Sequence, residues 1–231
     1  MSKNYETVIG LEVHVELATK INTTELTRLS RYYNFASYSI IAVVMFIICL
    51  VLSSFNEESV KKRTIISSMN YKKYNKCIML SSILYVLFVV ILYTILGFIV
   101  FGSIMFSKRG LIYILNTFIF AIVALALSLL VSTLVNKKEA VSGIVNVVAL
   151  SQAFLCGAFI LVMWLPDSVL KLAHVFPAYY YINSNELLAS LEVLNFSNLK
   201  LIFINMVVMI LFIVIFIILN NIFSKKKQVL R

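Results

Sequence analysis

Five long apolar runs, set apart by lysine-rich segments, constrain this chain more than any motif in it. They read roughly Tyr38–Phe55, Ile78–Phe106, Leu111–Val135, Ala140–Leu165 and Leu201–Phe223. A hydrocarbon layer about 30 Å thick is crossed by about 20 mostly apolar residues in a helix. Each run exceeds the length of an ordinary buried strand or short core helix. In lipid every backbone N–H and C=O must be satisfied within the segment, which a helix does by itself. The expected fold class is therefore all-α: a polytopic transmembrane helical bundle of five spans plus short interfacial helices. Composition agrees, with 61% hydrophobic and only 13% charged residues among 231. Soluble domains carry about 45–50% and about 25%. A water-soluble globule, a disordered chain, a collagen-like repeat and a disulfide scaffold are all excluded. Cys49, Cys77 and Cys156 lie far apart and form no CxxC pair, which argues against a zinc site.

The net charge of +10 would point to nucleic acid in a soluble protein. In a membrane protein the placement of the basic residues decides more than their sum. Lys61, Lys62, Arg63, Lys72, Lys73, Lys76, Lys137, Lys138, Lys225, Lys226, Lys227 and Arg231 fall on one side of the expected spans. Lys108, Arg109, Lys171 and Lys200 fall on the other. Twelve against four places the first side in the cytoplasm, and the carboxyl end with it. Five spans then put the amino-terminal segment outside. The expected divisions are a foreign-looking segment at 1–20, an extracytoplasmic linker at 21–37, a transmembrane domain at 38–223 and a basic cytoplasmic tail at 224–231.

The polar residues carry the functional signals. The loop NEESVKKRTIISSMNYKKYNK places Glu57 and Glu58 four residues before Lys61 and Lys62, a helix-supporting spacing. With Arg63, Ile65 and Met69 it reads as an amphipathic helix able to dock a cytoplasmic partner, or else as a solvated basic loop that sets topology. In the fourth run Ser142, Asn146, Ala149, Ala153 and Cys156 recur on one helix face; Ala124, Ser128 and Ser132 do so in the third. Such stripes let helices approach closely, within one chain, at a dimer seam or along a substrate path. No run has an ionisable residue near its centre, which weakens a secondary-transporter reading and leaves no acid–base pair for an intramembrane enzyme. No GxxxxGK[ST] loop is present, so ATP hydrolysis by that route belongs to another polypeptide or to another domain. Between Pro166 and Pro177, the residues Val169, Leu170, Leu172, Ala173 and Phe176 are spaced for a short helix at or in the outer leaflet.

The small-residue turn at Cys156, Gly157 and Phe159, then Pro166, Phe176-Pro177 and Tyr179-Tyr180, resembles the signature of ABC-2-type exporter permeases. The loop from Asn56 to Lys76 is similar to the segment through which those permeases meet their ATPase. The resemblance covers about Asn34 to the end and matches the last five of six family spans, without the first. It implies a non-enzymatic permease subunit of an efflux system, with no cofactor of its own and ATP held on a partner ATPase subunit. It also implies pairing with a second permease as a homo- or heterodimer, and a multi-pass location in a cell membrane among lipids. Glu57, Glu58, Lys61, Lys62, Arg63, Ile65 and Met69 would couple to the ATPase. Ser142, Asn146, Ala149, Ala153 and Cys156 would line a translocation path or dimer face. Gly157, Pro166, Phe176, Pro177 and Tyr179 would form an outer elbow. A truncated or non-transporting membrane protein (an immunity or assembly factor) and a secondary transporter are the alternatives. The lysine-over-arginine bias, with many Ile and Asn, suggests a bacterial source. Separately, MSKNYETVIGLEVHVELATK resembles the amino-terminal strand of the B subunit of aspartyl/glutamyl-tRNA amidotransferase, with strand-like alternation at Val8, Gly10, Glu12, Val13 and Val15, which reads as a fusion or gene-model join.

Overall fold

The structure, a computed structural model, describes residues 3–55, 57, 60, 71–135, 138–191, 194 and 196–229. Seven α-helices are set out among them: α1 (Lys3–Phe55), α2 (Tyr71–Phe101), α3 (Lys108–Leu134), α4 (Lys138–Leu155), α5 (Asp167–Ala173), α6 (Pro177–Ser190) and α7 (Phe196–Val229). Short 3-10 turns at Gly102–Phe106 and Val162–Trp164 complete the description, and no strand occurs among the described residues. Four stretches are long and apolar enough to cross a membrane: Thr24–Phe55, Lys76–Phe106, Lys108–Leu134 and Asn198–Ser224.

The first span starts well before the Tyr38 expected from hydropathy. Leu29, Tyr33, Ala36, Ile40 and Val44 are at most 1% exposed and recur every three or four residues. The helical period therefore continues through a stretch whose polar and aromatic residues mask it in a hydropathy count. The expected strand near Val8–Val15 also lies within α1. A lone strand has no neighbour to complete its backbone hydrogen bonds, whereas a helix completes its own.

The expected fourth span, Ala140–Leu165, stops at Leu155, so a fifth single-helix span is absent from the described residues. Its 18 residues reach about 27 Å, against about 40 Å for the 27 residues of α3. The cause is local. Gly157 adopts φ +99°, and the Ala158 N–H reaches back to the Ala153 carbonyl at 3.0 Å. This is a Schellman ending built on the one residue type that takes that φ at little cost. The chain then turns through Val162–Trp164, enters α5 immediately after Pro166, and begins α6 at Pro177.

At the centre sits α3, which packs on α1, α2, α6 and α7. Its membrane stretch is 61% buried, against 17% for that of α7. Ala124, Ser128 and Ser132 lie within this core, with the Cys49 thiol of α1 3.5 Å from the Ser128 carbonyl. That stripe is therefore intrachain packing. Contacts also order the levels of the bundle. Arg109, at the start of α3, reaches Leu188 near the end of α6. Thr133, at the far end of α3, donates to Asn220 of α7 at 2.6 Å. Consequently α4, α5 and α6 together carry the chain back from the Leu134 end of α3 to its Lys108 end.

Candidate functional site

The broken return leaves α6 starting deep in the bundle, and a buried polar cluster holds it there. Tyr181 of α6 stacks on Phe120 of α3 with ring centroids 4.4 Å apart. Its hydroxyl lies 3.0 Å from the Thr117 hydroxyl. One turn further along α6, Asn185 accepts from Asn116 Nδ2 at 2.9 Å and donates to Asn34 Oδ1 of α1 at 3.1 Å. Asn116 also donates to the Tyr181 carbonyl at 3.1 Å, and Tyr113 donates to the Asn185 carbonyl at 2.9 Å. The rings of Tyr33 and Tyr113 stack at 5.0 Å above this layer. Three helices are thus joined through one asparagine.

The chemistry explains why these residue types are needed. A buried amide without a partner costs several kcal/mol in an apolar medium, roughly 4–8 on a cyclohexane scale. Each asparagine therefore demands its neighbours, and the demand fixes the rotation and depth of α6. At the end of α6 the last carbonyls have no partner within the helix. The Arg109 guanidinium donates to one of them, Leu188, at 3.0 Å, a charge placed well for the helix dipole. Asn116 Oδ1 remains buried without a hydrogen-bond partner among the described residues. Glu186, near the end of α6 and outside the four spans, is half-buried, and desolvation pushes its carboxyl above the ordinary range.

The residues singled out from the sequence fall into three groups. The elbow residues mark helix ends: Gly157 is buried at the end of α4, Pro166 precedes α5, and Phe176 and Pro177 open α6. Tyr179 lies next to them in α6, its ring 4.1 Å from that of His174. The stripe on α4 divides. Ala149, Ala153 and Cys156 are buried, in a helix that packs on α1, whereas Ser142 and Asn146 are exposed. Within this chain the five therefore meet two surroundings, protein for the last three and the exterior for the first two. Of the docking loop, Glu57 is described, and its carboxylate pairs with Lys138 at 2.5 Å, tying the loop to the first turn of α4. Glu58, Lys61, Lys62, Arg63, Ile65 and Met69 lie outside the described residues.

Sequence reading assigned no site role to Asn34, Tyr113, Asn116, Thr117, Tyr181, Asn185 and Glu186, and used Arg109 only in the charge count that sets orientation. A signal existed for two of them. Asn116-Thr117 interrupts an otherwise apolar run, and uncharged amides in a span call for partners as surely as charges do. Attention to ionisable residues alone passes over them.

Four long apolar helices, with α3 at their centre and a broken return packed beside it, define a multi-pass membrane protein. The family described as ABC-2 family transporter protein matches residues 7–221. The chain belongs to that family of membrane permeases. No curated protein and no solved structure matches it. The resemblance of residues 1–20 to the amidotransferase finds no support: the family match already begins at residue 7.

Proposed function

We propose that the chain is the membrane-spanning permease subunit of an ABC-type exporter, driven by ATP hydrolysed on a separate subunit. The family match over most of the chain is the observation that carries this reading. The broken α4–α6 return supports it. Irregular backbone at membrane depth is tolerated where it is buried in protein or lines a water-filled cavity. On this reading α4 and the first turns of α6 make a fifth crossing, with the Lys138 end in the cytoplasm and the elbow from Gly157 to Tyr181 in the outer half of the bilayer. The asymmetric placement of the basic residues supports that orientation, and the lysine-over-arginine bias supports a bacterial cell membrane.

In the proposed cycle, ATP-driven closure of the partner pushes on the loop from Glu57 to Lys76. The Glu57–Lys138 pair passes that displacement to the foot of α4. The helix moves as a unit up to its Gly157 ending, and α6, held by Asn34, Asn116 and Asn185, moves with α1 and α3. The result is a biased equilibrium between inward- and outward-facing arrangements, with no covalent step on this chain. Ser142 and Asn146, polar and exposed on α4, suit a second permease or an aqueous path better than lipid.

The test is co-purification of the chain with an ABC-type ATPase from the same cell, followed by transport in vesicles. Binding by the wild-type chain, lost on reversing Lys61, Lys62 and Arg63 to glutamate, is expected. Undiminished binding would remove the loop from the mechanism. A wild-type chain that binds no ATPase and moves nothing would favour a non-transporting membrane protein.

A further inference from the structure

An apolar groove runs along the outside of the bundle where α2 and α7 flank α3. Met79, Ile83 and Leu87 of α2, Phe118 and Ala126 of α3, and Ile213 of α7 are among its walls. Its volume is about 240 Å³ and no polar atom lines it. Pockets for drug-sized ligands run to about 300–1,000 Å³ with a few placed polar groups. This one is smaller, open along its side and featureless, the shape of a slot for an alkyl chain.

Charge marks one end of it. On α2, Lys76 lies one turn before Met79 and seven and eleven residues before Ile83 and Leu87, a spacing that keeps it on the groove's side of the helix. Lys73 lies nearly one turn further out; both lysines are exposed, and the first turn of α2 has no acidic residue. The exposed lysines of α2 therefore lie toward the end of the bundle marked by Thr133 and Asn220.

The geometry points to a site for one anionic phospholipid: an acyl chain in the groove, and the phosphate at the basic start of α2, beside Lys73 and Lys76. Clustered lysines beside a membrane attract acidic headgroups at about 1 kcal/mol each. A second copy of the chain is a poorer occupant, because two such basic ends would face each other. The site needs only that the chain lies in a bilayer, so it stands or falls apart from export.

The full chain would be placed in nanodiscs of phosphatidylglycerol and phosphatidylcholine with identical acyl chains, and retained lipids counted by native mass spectrometry. Phosphatidylglycerol is expected to be retained in preference, with the preference falling about fivefold for each lysine removed in Lys73→Gln and Lys76→Gln. Ile83→Trp, at an exposed wall position, is expected to expel one bound lipid of either kind. Equal retention of the two lipids by the wild type would overturn the site. So would a preference unchanged in the lysine double variant, whose exposed positions leave folding intact. Ile83→Trp that breaks a dimer while lipid stays bound would assign the groove to a second copy instead.

Discussion

Truncating Asn185 to alanine is expected to loosen α6 from both neighbours at once. The carboxamide accepts from Asn116 at 2.9 Å and donates to Asn34 at 3.1 Å, so a single change removes two interhelical bonds. Such bonds in membrane proteins measure about 0.6 kcal/mol on average and up to about 1.7. This site lies at the upper end, because Asn185 and Asn116 are fully buried and Asn34 is 4% exposed. Asn116 Nδ2 keeps the Tyr181 carbonyl, but Asn34 Oδ1 loses its donor. Stranding a buried acceptor costs about 1–3 kcal/mol. That stranding cost is already contained in the two bond values, so a total of roughly 2–3 kcal/mol follows, or a fall of about 4–12 °C in Tm for a chain of this size. Thermal unfolding in detergent, read as the loss of the monodisperse peak after heating, measures it. The decisive assay is the cycle Asn34→Ala, Asn185→Ala and both together. A coupling of about 0.6–1.7 kcal/mol is expected. Additivity within about 0.3–0.5 kcal/mol would refute the claim that these asparagines bind α1 to α6.

Three further outcomes follow from the same geometry. Gly157→Ala is expected to lower Tm, since its φ of +99° strains any L side chain and its new Cβ would lie 2.5 Å from Val162 Cγ2; adding Val162→Ala should recover only part of the loss, and full recovery would show that the backbone is unstrained. Reversing Lys138 to glutamate should change stability by less than about 1 kcal/mol, because the pair is half-exposed; a transport defect restored by the swap Glu57→Lys with Lys138→Glu, at unchanged Tm, would show that the pair transmits motion. Glu186→Gln should stabilise the chain at neutral and higher pH. Burial raises the wild-type carboxyl, so its unfavourable charged form develops as pH rises through the folded value. The advantage should vanish once both states are protonated at low pH, and a gain that is independent of pH would sink the explanation.

Length, period and hydropathy were enough to make this an all-helical membrane chain, because satisfying a backbone in lipid leaves little else. Gly157, Pro166 and Pro177 were legible as breaks for a similar reason: their effects on φ and on helix starts are local. Local rules did not reveal how far α4 reaches. Hydropathy stayed high to Leu165, but the chain had already left the helix at Leu155, and the turn is held by contacts as much as by composition. The division of the α4 stripe was likewise hidden, since periodicity gives a face but not its neighbour. Asn34, Asn116 and Asn185 are up to 151 residues apart, and only the packing of α1, α3 and α6 brings them within hydrogen-bond reach. A buried amide announces in sequence that it needs a partner; which partner it finds is decided by the fold that excludes water around it.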